Sequence, residues 1–265
     1  MAVDDRPVVF LDSGVGGLTY LSRAREVLPE ESFVYVADNG NFPYGGKSIN
    51  ELKRIVVSVI ENIVKEFDPK AVVIACNTAS VVTLDSLRKR FGIPFVGVVP
   101  AVKPAAECTV NRRIGLLATE STVNSIYTDD LIQKFASNCR VVRFAGVRIV
   151  DFVENNCFGN CGDEALTVLE PAAEFFKNER IDSLILGCTH FLFVKGPLEK
   201  LLGPGVMIID SVDGVVRQLS RVLKEYPPVN GEQVYSRFYI TGDSYDVNKY
   251  LKFTNAFNLE WGGGI

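Results

Sequence analysis

The chain of 265 residues has a single histidine, His190, and no second cysteine pair to accompany Cys157 and Cys161, which stand four apart. A structural zinc site needs four ligands at recognisable spacing, so these residues argue against a resident metal. Positive charge is not in excess either. Lys and Arg number 28 against 32 Asp and Glu, a net charge of −4 without long runs of either sign, which speaks against a nucleic-acid partner and for a small molecule. The longest uncharged, mostly apolar stretch, Ala71 to Leu84, is interrupted by Asn77, Thr78, Ser80 and Thr83. It falls short of the ~20 apolar residues that span a bilayer, so no membrane partner is expected. The start, Met-Ala-Val-Asp-Asp-Arg, lacks the basic-then-apolar order of an export signal, and the expected location is the cytoplasm. In that setting the six cysteines are expected as reduced thiols, with disulfides the weaker reading and Cys108 and Cys139 as small space-filling hydrophobes. Neither Cys76 nor Cys188 belongs to a Cys-x-x-Cys pair, which argues against thiol-disulfide exchange.

What is present is a repeated pattern in a chain that is 47% hydrophobic. Apolar runs at Val8 to Leu11, Phe33 to Ala37, Ala71 to Ala75 and Phe95 to Val98 read as strands separated by helically spaced segments. Ile114 to Ala118, Val141 to Ala145, Leu184 to Gly187 and Val206 to Ile209 repeat the scheme. This alternation predicts an α/β fold of two pseudo-symmetric lobes with mainly parallel central sheets. The first lobe spans 1–99 and is completed by 212–265; the second spans 100–211. The clearest helix follows Ser48, whose pairing with Glu51 fits a capping box. Its apolar stripe is Ile49, Leu52, Ile55, Val56, Val59, Ile60, Ile63, Val64 and Phe67. A further helical pattern runs through Val212, Val215, Val216, Leu219, Val222 and Leu223, and the terminal Gly262 to Gly264 reads as a frayed tail.

Two cysteines occupy near-twin settings. Cys76 follows Val-Val-Ile-Ala and precedes Asn-Thr-Ala-Ser; Cys188 follows Ser-Leu-Ile-Leu-Gly and precedes Thr-His-Phe. Each ends a buried strand and opens toward a helix start, where exposed backbone N–H groups favour a thiolate over a thiol of free pKa about 8.5. Either cysteine alone reads as an inert buried residue. The pair favours catalysis, as base and acid on opposite faces of one carbon, in a cleft beyond the carboxyl ends of the strands. His190 is suited to exchanging a proton with Cys188 or stabilising its thiolate, and otherwise is a helix-start residue satisfied by backbone. Asp12-Ser13-Gly14-Val15-Gly16-Gly17 ends the first strand without the spacing of a dinucleotide fingerprint, and its plain reading is a tight turn with Asp12 as a cap. Asp38 to Lys47 reads as a loop, either an ordinary surface one or one that places Tyr44 and the backbone of Gly45 around an anion. On pattern alone Glu154 is as well a surface residue as a buried acid.

In order along the chain, Asp-Ser-Gly-Val-Gly-Gly, Pro-Tyr-Gly, Ala-Cys-Asn-Thr-Ala and Gly-Cys-Thr-His resemble the signature set of the cofactor-independent glutamate racemases. The resemblance implies an isomerase with no cofactor, two lobes clasping L- or D-glutamate, and D-glutamate supplied for peptidoglycan, hence cell-wall biogenesis and cell shape. It implies Cys76 and Cys188 as the acid/base thiols, Cys76 acting on D-glutamate and Cys188 on L-glutamate. Supporting roles fall to Asp12, His190 and Glu154, with Asp12 and His190 tuning their respective thiols. Asp12, Ser13, Tyr44, Gly45, Asn77, Thr78, Thr189 and His190 would contact substrate, with Thr119 and Thr122 near its carboxylate. Asn41 and Val99 depart from the pattern, where an arginine and an acid are common, and bear on lobe contacts or regulation. The oligomeric state is left open, a homodimer included. Rival readings are an aspartate or hydantoin racemase, a Cys-His hydrolase using Cys188 and His190, and a two-lobed amino-acid receptor.

Overall fold

The computed structural model describes residues 4–159, 161–227 and 234–265; Met1 to Val3 of the N-terminal hexapeptide lie outside them. The chain forms two compact units, Met1–Val98 with Val212–Ile265, and Val99–Ser211. Each is built on one sheet of parallel strands with helices between them, the α/β architecture that the strand–helix alternation implies.

In the first unit the strands are β1 (Val8–Asp12), β2 (Phe33–Ala37), β3 (Ala71–Ile74) and β4 (Phe95–Gly97), and the second unit holds β5 (Arg113–Ala118), β6 (Arg140–Ala145), β7 (Ser183–Gly187) and β8 (Met207–Ile209). The chain then returns to the first sheet with β9 (Ser236–Ile240) and β10 (Glu260–Gly264). The first sheet runs β10-β9-β2-β1-β3-β4 and the second β6-β5-β7-β8. Both therefore contain the order second, first, third, fourth. In each, the connections leave the first and third strands in opposite directions, and ligands of parallel sheets bind beyond the carboxyl ends at such a switch point. β1, β2, β3 and β7 are buried at every position, which is why they read as unbroken apolar runs with no alternation.

The helix Ile49–Phe67 starts where the sequence predicts. The Ser48 side chain accepts from the Glu51 backbone N–H at 3.3 Å, and Asp68, in the left-handed region at φ 42°, ends the helix. Leu52, Val56, Val59, Ile60 and Ile63 are buried, each worth roughly 1.5–3 kcal/mol on removal from water, whereas Ile49 at the head of the stripe is exposed. The helix Val212–Leu223 packs its buried face, Val215, Val216, Leu219 and Leu223, against the helix Leu18–Val27 and the β3–β4 edge.

The glycine-rich end is not a frayed tail. Residues Glu260–Gly264 pair in parallel with β9, with a register shift between Trp261 and Gly263, and Gly263 adopts φ 97°. The glycines suit a strand against which the Tyr239 ring lies flat: a Cβ on Gly262 would fall among the ring carbons of Tyr239. β9 escapes the periodicity because Ser236 and Arg237 open it and only Phe238 and Ile240 are buried, and β10 because it carries three glycines. Among the described residues no helix is long and apolar enough to cross a membrane.

Candidate active site

In the first unit the site is assembled from three strand ends. Asp12, last residue of β1, is fully buried; its Oδ1 accepts from the Ser13 backbone N–H at 2.6 Å and from the Ser13 hydroxyl at 3.4 Å. Asp38 follows β2 and is also fully buried. Its carboxylate accepts from the Tyr44 hydroxyl at 2.6 Å, from the Asn41 amide at 3.0 and 3.1 Å, and from the Thr241 hydroxyl. The loop is thus not an ordinary surface one at Tyr44, which is 1% exposed, and Gly45 follows it in the 3-10 turn Tyr44–Gly46. Asn41, which departs from the family pattern, uses its amide to hold Asp38. Burial pushes the Tyr44 phenol well above its ordinary pKa of 10.0, and the charges of Asp38, Cys76 and Asp12 add to the shift. Tyr44 therefore stays a neutral donor with those three groups within electrostatic reach.

Cys76 is 7% exposed, has extended backbone (φ −131°, ψ 122°), and is the N-cap residue of the helix Asn77–Arg90. That places its sulfur at a helix N-terminus, as its sequence neighbours imply. Ser80, one turn on, donates to the Ile74 carbonyl at 2.9 Å and accepts from the Val98 N–H at 3.0 Å, fixing the helix start to the ends of β3 and β4. Asn77 and Thr78 are buried, and both polar atoms of the Asn77 amide lack a hydrogen-bond partner. Such an amide costs about 1–3 kcal/mol to bury unpaired, and both its donor and its acceptor are open to a hydrogen-bonding partner.

In the second unit, Thr119 follows β5 and caps the short helix Glu120–Val123; its Oγ1 accepts from the Thr122 N–H at 3.4 Å and lies 3.0 Å from the Thr122 hydroxyl. Cys188 follows β7, the counterpart of β3, with the same extended backbone (φ −143°, ψ 138°) and 6% exposure. Its helical setting differs from that of Cys76. Only the four-residue 3-10 turn Thr189–Leu192 follows, too short to carry a macrodipole, so the expected twin helix terminus is absent here. Thr189 and His190 are buried within that turn.

A side chain supplies the positive charge in its place. His190 Nδ1 lies 3.7 Å from the Cys188 sulfur, and His190 Nε2 lies 2.7 Å from Glu154 Oε1. Glu154 is 2% exposed, on the buried face of the helix Val147–Asn156 with Ile149, Val150 and Val153, so the surface reading of this residue is excluded. Burial by itself would depress the His190 pKa, but the hydrogen bonds and charges of Cys188 and Glu154 outweigh it and hold the imidazole well above its ordinary 6.5. An imidazolium fixed between a carboxylate and a sulfur can pair with a thiolate without drawing on a helix dipole.

The thirteen candidate residues thus fall into two sets: Asp12, Ser13, Tyr44, Gly45, Cys76, Asn77 and Thr78 belong to the first unit with its strand ends, and Thr119, Thr122, Glu154, Cys188, Thr189 and His190 to the second. Asp38 and Thr241 join the first set unannounced; the one signal for Asp38 is an acid closing β2 as Asp12 closes β1. The remaining cysteines depart in part from expectation. Cys157 and Cys161 form a disulfide across a Cα separation of 4.7 Å, so neither is a free metal ligand. Cys108 is exposed at a helix end and fills no core, whereas Cys139 is half-buried and packs against the second unit's hydrophobic cluster, as a small space-filling residue. Among the described residues no group of three or more His, Cys, Asp or Glu is arranged to hold a metal.

Comparison with known proteins agrees with this geometry. The model of the Asp/Glu/Hydantoin racemase family matches residues 19–219. A glutamate racemase of Brucella canis is 40% identical over 222 residues, 83% of this chain and 80% of its own length. Escherichia coli glutamate racemase, solved with L-glutamate and the activator UDP-MurNAc-Ala, superposes with a TM-score of 0.88 at 33% identity, covering 98% of each chain. A glutamate racemase isoform from Bacillus anthracis gives 0.83 at 30% identity over 97% of each chain. Two parallel sheets with a thiol at the end of each third strand define an amino-acid racemase, an isomerase. The chain belongs to the Asp/Glu/hydantoin racemase family, and within it to the glutamate racemase relatives just described. The hydrolase, receptor and disulfide-exchange readings fall away with that membership.

Proposed function

We propose that this chain interconverts L- and D-glutamate without a cofactor, through Cys76 and Cys188 acting from the two faces of the α-carbon. The reading rests on one observation above the others. The two thiols end topologically equivalent strands, β3 and β7, with the same extended backbone, in a chain 40% identical to a named glutamate racemase.

In the direction from D-glutamate, the Cys76 thiolate takes the α-proton and the Cys188 thiol delivers its own to the opposite face; from L-glutamate the roles exchange. One S–H bond forms and the other breaks in each turnover, so the thiols finish with exchanged protonation and the other enantiomer restores them. Asp12 serves Cys76, and the Glu154–His190 pair serves Cys188. The carbanion has no electron sink, so donors around the α-carboxylate must stabilise charge as it develops. Asn77, with its unpaired amide, is the first candidate, joined by Thr78, Thr119, Thr122 and Thr189. Ser13, Tyr44 and Gly45 would hold the substrate from the first lobe, 1–99 with 212–265, and 100–211 would form the second. The D-glutamate formed would serve peptidoglycan in the cytoplasm.

The test is circular dichroism of D-glutamate incubated with enzyme stripped of small molecules, run beside proton exchange in deuterated water. Decay of the optical signal with deuterium appearing at the α-carbon is the expected result. A folded enzyme that exchanges the α-proton of aspartate but not of glutamate overturns the substrate assignment, and one that exchanges neither overturns the mechanism.

A further inference from the structure

Tyr35 sits mid-strand in β2, wholly buried, where a phenol must find a partner. Its hydroxyl donates to the Gly14 carbonyl at 2.7 Å and accepts from the Gly17 N–H at 3.1 Å. Both belong to the turn that leaves Asp12. A single oxygen atom thus closes that turn.

The same turn bears on the strand that ends in Cys76. A Cβ on Gly17 would lie 2.7 Å from the Ala75 Cβ, 3.1 Å from the Ala75 carbonyl oxygen and 3.1 Å from the Tyr35 hydroxyl. Only a residue without a side chain lets the turn press against Ala75, the neighbour of Cys76. On the other side, the Ala75 N–H donates to the Leu11 carbonyl at 2.7 Å, next to Asp12. The Tyr35 ring is held by Phe238, stacked at 5.3 Å, which is stacked in turn on Tyr250 and Trp261.

We infer that Tyr35 is a positioning residue: by bridging Gly14 and Gly17 against Ala75, its hydroxyl sets the placement of the Asp12 carboxylate relative to the Cys76 sulfur, and so the rate of proton transfer at Cys76. The inference rests on the two-thiol reading above. Tyr35 acts through Asp12 and touches no reacting atom.

A racemase has an equilibrium constant of one, so any variant must lower kcat/KM equally in both directions. A defect confined to one thiol shows instead in the deuterium isotope effects. When transfer at Cys76 slows, abstraction from D-[2-²H]glutamate by Cys76 becomes more rate-limiting and its isotope effect rises. The effect from L-[2-²H]glutamate, where Cys188 abstracts, falls. Tyr35→Phe is expected to lower kcat/KM by about 10–100-fold, the scale of a misplaced catalytic group, with the two isotope effects moving apart in that sense. Gly17→Ala, which forces the turn off Ala75 while keeping the phenol, should move them the same way and serves if Tyr35→Phe does not fold. Phe176→Leu, a buried ring of the second unit that packs on Phe144 and Phe175, is the packing control and should lower the melting temperature while leaving the ratio of isotope effects as in wild type. Unmoved isotope effects in whichever of Tyr35→Phe and Gly17→Ala folds, or the same shift in Phe176→Leu, overturn the inference. Wild-type enzyme that fails to exchange the α-proton of glutamate overturns the two-thiol reading beneath it, a result distinguishable from either.

Discussion

Glu154 Oε1 lies 2.7 Å from His190 Nε2, and the opposite ring nitrogen faces the Cys188 sulfur at 3.7 Å, so a buried carboxylate reaches a thiol through one imidazole. Replacing the carboxylate by an amide keeps the shape and removes the charge. For Glu154→Gln, burial then dominates His190 and its pKa falls. The expected outcome is a loss of about 10–100-fold in kcat/KM and a displaced alkaline limb of the pH–rate profile, checked by steady-state kinetics across pH.

The same pair makes stability depend on pH, and the sign follows from the raised His190 pKa. A group whose pKa is higher folded than unfolded contributes stability that is fully present below about pH 6.5 and is lost as pH rises through the folded value. The melting temperature of wild type should therefore exceed that of Glu154→Gln most at acidic to neutral pH, with the gap narrowing into the alkaline range. Scanning calorimetry of both proteins over that range measures it. A gap that widens with pH would contradict the assignment of His190 as the imidazolium.

Each thiol is expected to be indispensable to racemisation. Cys76→Ser and Cys188→Ser should each lower kcat by about 10²–10⁴-fold, the usual worth of a general acid or base, while retaining the fold. Optical rotation of either enantiomer reads the loss. Full activity in either variant is incompatible with a two-thiol mechanism.

Asn77 separates binding from stability. Both polar atoms of its buried amide are unpaired, so Asn77→Ala removes an unsatisfied group and should leave the melting temperature unchanged or raise it. The KM for glutamate should rise by about 10–100-fold, matching one hydrogen bond to a charged ligand at about 1.5–3 kcal/mol. Thermal denaturation and kinetics on the same preparation check both halves.

Gly262→Ala tests whether the glycine-rich end is structural. The added methyl would collide with the Tyr239 ring and disturb the pairing of β10 with β9. A loss of about 1–3 kcal/mol is expected in denaturant unfolding, the cost of overpacking, with kcat of the folded fraction unchanged.

The legibility of each element tracks how local its cause is. β1, β2, β3 and β7 are buried on both faces, and such strands announce themselves as uninterrupted Val, Ile, Leu and Phe. The helix Ile49–Phe67 carries its own start signal in Ser48 and its own stripe, although nothing in the pattern distinguishes exposed Ile49 from buried Leu52. β10 is the counterexample. Three glycines have little strand propensity, and the segment is a strand because β9 and the Tyr239 ring hold it there.

By itself, then, the amino-acid sequence determined the strand–helix alternation, the repeated order of its two halves and the placement of Cys76 and Cys188 at strand ends, because propensity, periodicity and turn chemistry act over a few neighbouring residues. Tertiary structure alone decided that Glu154 is buried on His190, that Asp38 gathers Tyr44, Asn41 and Thr241, and that Cys188 faces an imidazole in place of a helix terminus. Glu154 and His190, 36 positions apart, and Asp38 and Thr241, 203 apart, meet only in the folded low-dielectric interior, where a charge or hydroxyl is tolerated only beside its partner. The shorter contacts of Asp38 and Cys188 take their geometry from the same packing.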